Sequence, residues 1–493
     1  MTQATAQAVA PSEAIPAAPA RVHTGRWLVI LLLSGLVLRL ALFLAGPAWH
    51  PDRAMAGDSS RYVMLADTWR TAGHFGLTQE EQHENSPVKP FHELRLARGE
   101  VPPRVEGVLP ELVRTPGYPA LLALVRWAKA PLQMTLLVQV LLSSAGVGVL
   151  FLLVRRWLGS GRAALAAAAI LAFSPADMLA ANMFLTESLY AFMLLAAMAC
   201  LLGGTGGRIA FSHVLAAGLL LGLGTLVRPV GLLIGPAVAL WLALTRRRRA
   251  DLAAAAALAV LSLLPAALWA AHNARLGAGF HVSNVGTIHM AKTPALMEMR
   301  QAGQTLYPEE FWPHFQAVVQ QVGQEIRPDE TVDGATQRIV RRRISQNKGA
   351  YASLMASSAS KFMLDHSAGP LCNMLDRPYH PTGLRDRLLK GEFSFEGISP
   401  LGTVLPGAWT LLNVLLAVGA ALGLLHLALE RRWAPLLLLA GCMLYFIAAT
   451  QYHGQERMRL PVLWAQAALV GCLLLPRRRV AAKLLRPHAG QLL

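Results

Sequence analysis

Ten apolar runs, rich in Leu and Ala and separated by short clusters of Arg, decide what this chain can become. A run such as Trp27–Gly46 rises about 1.5 Å per residue as a helix, enough to cross an apolar layer roughly 30 Å thick. Inside lipid every backbone N–H and C=O has to be bonded within its own segment, so such runs are helical. Only 15% of the 493 residues are charged and 54% are hydrophobic, whereas a soluble domain carries about a quarter charged residues. The predicted fold class is therefore an all-α polytopic membrane protein with about ten transmembrane helices.

The Arg clusters give the orientation. The predicted cytoplasmic segments hold 17 Lys and Arg against 3 Asp and Glu, while the outer segments 47–131 and 273–400 are nearly balanced, at 10 against 10 and 14 against 12. The net charge of +17 is thus a positive-inside bias. It is not the basic face with interleaved aromatics that nucleic acid would require, and nucleic acid is excluded as a partner.

The predicted spans are Trp27–Gly46, Leu132–Val154, Ala163–Phe173, Ser188–Leu202, Ile209–Leu226, Val230–Leu244, Leu252–Ala271, Leu401–Leu429, Ala434–Thr450 and Leu460–Leu475, with both termini inside. Trp27–Gly46 is longer than the apolar region of about 7–15 residues in a cleavable signal, so it reads as an uncleaved anchor. Residues 1–20, rich in Ala, Pro, Gln and Thr, are predicted to be a disordered tail. Residues 21–475 form one transmembrane domain and 476–493 a basic cytoplasmic tail. Two large outer loops interrupt the domain. In the first, 47–131, residues 112–129 have the pattern of an interfacial amphipathic helix. In the second, 273–400, residues 309–325 and 333–364 have helical periodicity and form a helical cap.

Residues that are expensive near lipid gather at the outer ends of these spans: Asp58, Arg114, Asp177, Glu187, Arg228, His453, Glu456, Arg457 and Arg459. Val230–Leu244 and Leu460–Leu475 are short for spans, which suits helices whose outer ends sink below the surface around a polar cavity. Arg228, Arg457 and Arg459 are permanently charged multi-donor groups suited to a phosphate. In sugar transfer from a lipid phosphate carrier the phosphate leaves as an anion. Such a site needs cations for the leaving group and one base for the acceptor proton. A hydrolase of an ordinary glycosidic bond needs two opposed carboxylates instead. Arg39, inside the first span, is expected to meet an internal partner.

The motifs, in order, are Gly57-Asp58-Ser59-Ser60-Arg61-Tyr62, Arg114-Thr115-Pro116-Gly117-Tyr118-Pro119, Phe184-Leu185-Thr186-Glu187-Ser188-Leu189-Tyr190, Arg228-Pro229 and Glu456-Arg457-Met458-Arg459-Leu460-Pro461. Together they resemble the membrane glycosyltransferases of the GT-C fold, in the branch of the protein O-mannosyltransferases and the lipid A aminoarabinose transferase. The resemblance implies an inverting glycosyltransferase that takes a sugar from a polyprenyl-phosphate donor to a glycolipid, polysaccharide or protein acceptor, at the outer (periplasmic) face of a bacterial-type cytoplasmic membrane. It implies Asp58 as catalytic base. Glu187 then assists catalysis, Arg228 and Arg459, helped by Arg457, hold the donor phosphate, and Arg61, Tyr62, Arg114 and His453 complete substrate binding. Members often carry an Asp-Glu pair where this chain has Asp58-Ser59.

No Cys/His spacing of a metal site is visible, so no cofactor is required; a divalent metal is possible in the family and unsupported by these residues. Two other functions fit a polytopic chain. An oligosaccharide ligase or polymerase of similar fold would have a roomier cavity. A lipid or solute transporter would show internal repeats and broken helices at mid-membrane, and no repeat is visible here.

Overall fold

The computed structural model describes residues 24–78, 89–202, 209–246, 248–302, 308–377, 400–450 and 455–476. The predicted tail 1–20, His453 and the basic run Arg477–Arg479 lie outside the described residues.

The chain is mostly helical. Helices Thr24–Ala45, Gln133–Leu158, Arg249–Arg275 and Val404–Leu429 are each long and apolar enough to cross a membrane, and the bent pair Gly161–Ala172 and Pro175–Ala181 brings the number to five. Glu187–Leu202, Phe211–Val227, Pro229–Thr245 and Trp433–Ala449 are shorter apolar helices. The last apolar segment is a helix only over Leu463–Cys472, after a one-turn 3-10 stretch at Leu460–Val462.

Pro175 has no N–H to give, so the bend at Phe173–Ser174, 54° between the two helix axes, leaves carbonyls at the end of Gly161–Ala172 without helical donors. Arg39 supplies them. Its Nη1 donates to Ala172 O at 2.9 Å and Gly35 O at 3.0 Å, and Nη2 donates to Leu171 O at 3.0 Å and to Asp177 Oδ2 at 2.5 Å. Arg39 is fully buried, and its Nε donates to Ser143 Oγ at 2.6 Å. The internal partner expected for Arg39 is therefore Asp177, which this bond takes out of the outer-end constellation.

The two long segments between apolar helices, 47–131 and 273–400, share a small core of their own. Phe91, from helix Lys89–Ala97, packs with Ile288, Ala291 and Ala295 of helix Val285–Gln301, with Phe315, Val318 and Val322 of helix Pro308–Glu325, and with Ala335 and Ile339 of helix Val332–Gln346. Arg95 bonds Asp333, and Glu100 Oε1 accepts the Val332 N–H at 3.0 Å. The helix expected over 112–129 is shorter, Gly117–Trp127, because Leu112 and Val113 are engaged with the second loop. Leu112 O accepts the Asn284 N–H at 2.8 Å, and Val113 O accepts the Ser283 hydroxyl at 2.6 Å. The region expected to be one helix over 333–364 breaks at Asn347 into Val332–Gln346 and Lys348–Leu364. One departure from an all-helical chain is a two-residue antiparallel pair, Gly76–Leu77 with Leu109–Pro110.

Gly117 joins this layer to the apolar helices. A Cβ there would lie 2.7 Å from the Leu226 carbonyl oxygen. Only glycine lets helix Gly117–Trp127 sit against the end of Phe211–Val227, one residue before Arg228.

Candidate active site

Where segments 47–131 and 273–400 meet the ends of the apolar helices there is a cavity of about 920 Å³. Its polar wall carries Asp58, Tyr62, Arg114, Thr186, Glu187, Arg228, His281, His289, Lys292 and Arg457. The apolar lining includes Leu263, Ala266, Ala267 and Ala270, which recur at helical spacing on Arg249–Arg275, together with Val230, Leu232, Phe446 and Ala449.

Asp58 precedes helix Ser59–Ala72 and makes no side-chain capping bond to it. Its carboxylate is free to face the cavity, where Arg114 Nη2 lies 2.5 Å from Oδ1. Burial pushes the Asp58 carboxyl up, but the guanidinium groups of Arg114, Arg457 and Arg228 outweigh it and hold the carboxyl below its usual range. Asp58 is thus ionised at neutral pH, the form a base requires. Gly57 precedes it at φ +56°, in the left-handed region, and a Cβ there would come within 3.2 Å of Arg457 Nη1. Glycine at this position lets Arg457 lie close beside Asp58.

Ser59, where members of the resembling family often carry Glu, is fully buried and turned away. Its hydroxyl donates to Ala56 O at 2.8 Å and accepts the Ala56 N–H at 3.0 Å, closing the turn that presents Asp58. Tyr62 stands on the cavity wall. Burial dominates its ionisation and pushes the phenol up to about 12, so its hydroxyl keeps its proton.

Glu187 starts helix Glu187–Leu202, with a side chain only 3% exposed. Its Oε1 is 2.7 Å from Arg228 Nη1 and 3.9 Å from Arg457 Nε. Arg228 also donates to Thr186 Oγ1 at 3.2 Å. One carboxylate thus serves two guanidinium groups, which leaves this pair with one net positive charge.

Three expected residues are placed elsewhere or outside view. Arg459 is 2% exposed and does not line the cavity. Its Nη2 donates to Asn413 Oδ1 at 2.7 Å and lies 3.1 Å from Glu456 Oε1, and its Nη1 donates to Met363 O. It ties helix Lys348–Leu364 to Pro400–Leu429 and holds no phosphate site. Arg61 also points away from the main cavity, toward Glu111 at 2.6 Å. His453 lies outside the described residues.

Sequence reasoning gave no site role to Glu111, Thr186 and Lys292. Glu111 is 4% exposed. Its Oε1 accepts the N–H groups of Val113 at 2.7 Å and Arg114 at 2.9 Å, while Oε2 takes Arg61. Glu111 therefore fixes the turn from which Arg114 reaches Asp58. Nothing in the linear pattern marks it, since its partners are set by the Leu109–Pro110 pairing. Among the described residues no group of three or more His, Cys, Asp or Glu is arranged to hold a metal.

Residues 114–270 match the family model of the dolichyl-phosphate-mannose-protein mannosyltransferases. No curated protein matches the chain. Among solved structures, the archaeal oligosaccharyltransferase AglB from Archaeoglobus fulgidus, in complex with an inhibitory peptide and a dolichol-phosphate, has a TM-score of 0.47 at 16% identity, over 91% of this chain and 50% of its own. The same oligosaccharyltransferase tethered with an acceptor peptide has a TM-score of 0.46 at 16% identity, over 92% of this chain and 49% of its own. ArnT from Cupriavidus metallidurans, bound to undecaprenyl phosphate, has a TM-score of 0.38 at 15% identity, over 92% of this chain and 78% of its own. The chain spans about half the length of the archaeal oligosaccharyltransferase. The matched family segment contains Arg114, Glu187 and Arg228 and leaves Asp58 and Arg457 outside it. Over that segment the chain is similar to the dolichyl-phosphate-mannose-protein mannosyltransferases, and this is the glycosyltransferase resemblance that its motifs carry.

Proposed function

We propose that the chain is a membrane glycosyltransferase that moves a sugar from a polyprenyl-phosphate donor to an acceptor hydroxyl, with inversion at the anomeric carbon. The observation that carries this reading is the convergence of Asp58, Arg114, Glu187, Arg228 and Arg457 on one cavity that is also lined by apolar residues of helix Arg249–Arg275. The net positive charge of Arg228, Arg457 and Glu187 matches the single negative charge of a phosphodiester. The apolar lining of Leu263, Ala266, Ala267 and Ala270 suits the first isoprene units of the same donor.

The chemistry then needs little else. Asp58 takes the proton of the acceptor hydroxyl as its oxygen attacks the anomeric carbon from the face opposite the phosphate. The bond from that carbon to the phosphate oxygen breaks, and its electron pair leaves with the phosphate. Charge on the phosphate grows from one negative toward two, and Arg228 and Arg457 stabilise the increase more strongly than the ground state. Arg114 keeps Asp58 ionised and aimed, and Glu187 keeps the two guanidinium groups together. The ten apolar segments are read as ten spans with both termini in the cytoplasm, which puts the cavity on the periplasmic side of the inner membrane.

Binding of undecaprenyl phosphate to the purified full chain tests the donor site. Arg228→Ala and Arg457→Ala are each expected to weaken it about tenfold or more. Unchanged affinity in both variants would refute the phosphate assignment.

A further inference from the structure

Among the described residues lining the cavity, Lys292 is the Lys or Arg without a carboxylate in ion-pair reach. The three guanidinium groups in the wall each have a carboxylate within 4 Å: Arg114 has Asp58 at 2.5 Å, and Glu187 serves Arg228 at 2.7 Å and Arg457 at 3.9 Å. Among the described residues, no carboxylate lies within ion-pair distance of the Lys292 ammonium. Lys292 sits two turns into helix Val285–Gln301, on the face that also brings Val285 and His289 to the cavity. It is half-buried.

The charges that act on Lys292 are Arg114 and Asp58, whereas Glu187 is in ion-pair reach of Arg228 and Arg457. Lys292 comes from helix Val285–Gln301 of segment 273–400, so this part of the lining is supplied by the loop rather than by the apolar helices. Burial and the nearby Arg114 guanidinium both pull the lysine below its ordinary range, against Asp58. A cation held where its charged form is disfavoured is relieved by an anion.

We propose that Lys292 is an acceptor-binding residue, and that the acceptor carries an anionic group, phosphate or carboxylate, close to the hydroxyl that Asp58 deprotonates. This rests on the transferase reading above. The charges then balance. The donor phosphodiester meets the single net charge of Arg228, Arg457 and Glu187, the Arg114–Asp58 pair is neutral, and Lys292 is left with one positive charge for the acceptor. A neutral acceptor would leave Lys292 half-buried and unmatched.

The test uses the full chain in lipid nanodiscs and two kinds of probe. Glycerol 3-phosphate and glycerate, each an anion beside a hydroxyl, report the acceptor side, with glycerol as the neutral control. Undecaprenyl phosphate reports the donor side. Lys292→Met is expected to weaken the two anionic probes about tenfold or more and to change undecaprenyl phosphate by less than about twofold, and Lys292→Arg is expected to restore them. Arg228→Ala is expected to show the opposite pattern. Equal loss of both kinds of probe in Lys292→Met would assign the lysine to the donor phosphate and overturn the proposal. So would failure of the wild-type chain to bind the anionic probes more tightly than glycerol. Failure of the wild-type chain to bind undecaprenyl phosphate would refute the donor reading instead, while binding of the anionic probes through Lys292 would still stand.

Discussion

The Arg114 guanidinium lies 2.5 Å from the Asp58 carboxylate, and the turn that carries Arg114 is itself held by the buried carboxylate of Glu111. This pairing decides in which pH range Asp58 can act. A base works only when unprotonated, so activity is lost as pH falls through its pKa. With the Asp58 carboxyl held below its usual range, that loss in the wild-type chain falls below the ordinary carboxylate range. Arg114→Gln removes one of the charges that hold it down and leaves the burial that pushes it up. The acid limb of kcat/KM is expected to move to higher pH in this variant. A pH–rate profile with an unmoved acid limb would show that Arg114 does not govern the carboxylate.

Glu111 acts on the same carboxylate at one remove. Glu111→Ala frees Arg61 and the N–H groups of Val113 and Arg114 together. It is expected to lower kcat by about tenfold or more and to raise the acid limb as Arg114→Gln does. Glu111→Gln retains an acceptor for the two N–H groups and is expected to keep most of the activity. Equal losses in the two variants would mean that the carboxylate charge, not the turn, is what matters.

Glu187 is nearly buried between two guanidinium groups, so its removal leaves charges without a counter-ion. Glu187→Gln is expected to destabilise the folded chain by about 3 kcal/mol, and Arg228→Met similarly. The double variant Glu187→Leu with Arg228→Met removes both charges and is expected to recover much of that stability while losing affinity for undecaprenyl phosphate. Thermal unfolding of all three in the same detergent reads this directly. Additive losses in the double variant would show that the pair is not coupled.

Arg457 and Arg459 separate binding from folding. Arg457 lines the cavity with a side chain 30% exposed, whereas Arg459 is enclosed by Glu456, Asn413 and Met363 O. Arg457→Met is expected to weaken lipid phosphate binding with little change in stability. Arg459→Met is expected to lower the melting temperature and to leave affinity in the folded fraction unchanged. The reverse outcome would return Arg459 to the phosphate site.

These contrasts also mark how far the sequence could be read. Apolar segments become helices because the constraint is local: a backbone in lipid has no other donors and acceptors. Asp58, Glu187, Arg228 and Arg457 could be picked out because a charge beside lipid is expensive unless it is used. The choice between Arg457 and Arg459 was in principle visible, since residues two apart on a helix do not share a face. Which of the two faces inward depends on Asn413, more than 40 residues away in sequence on helix Pro400–Leu429. Arg61 was assigned to substrate from its place in the Asp58 motif, but its partner Glu111 is set by a two-residue strand pairing that no periodicity announces. The earlier start expected for helix Gly117–Trp127, at residue 112, failed for a similar reason, because Leu112 and Val113 bond across to the second loop.

Whether Asp58 is the base for sugar transfer at this cavity is decided by Asp58→Asn. Because Asp58 makes no capping bond, the variant is expected to fold and to accumulate like the wild-type chain. Mass spectrometry of cell-envelope glycolipids and glycoproteins, from cells in which this chain is the sole copy, is expected to show loss of one sugar modification, with a rate at least about a hundredfold lower in vitro. Normal modification in Asp58→Asn cells at wild-type protein level would contradict the account.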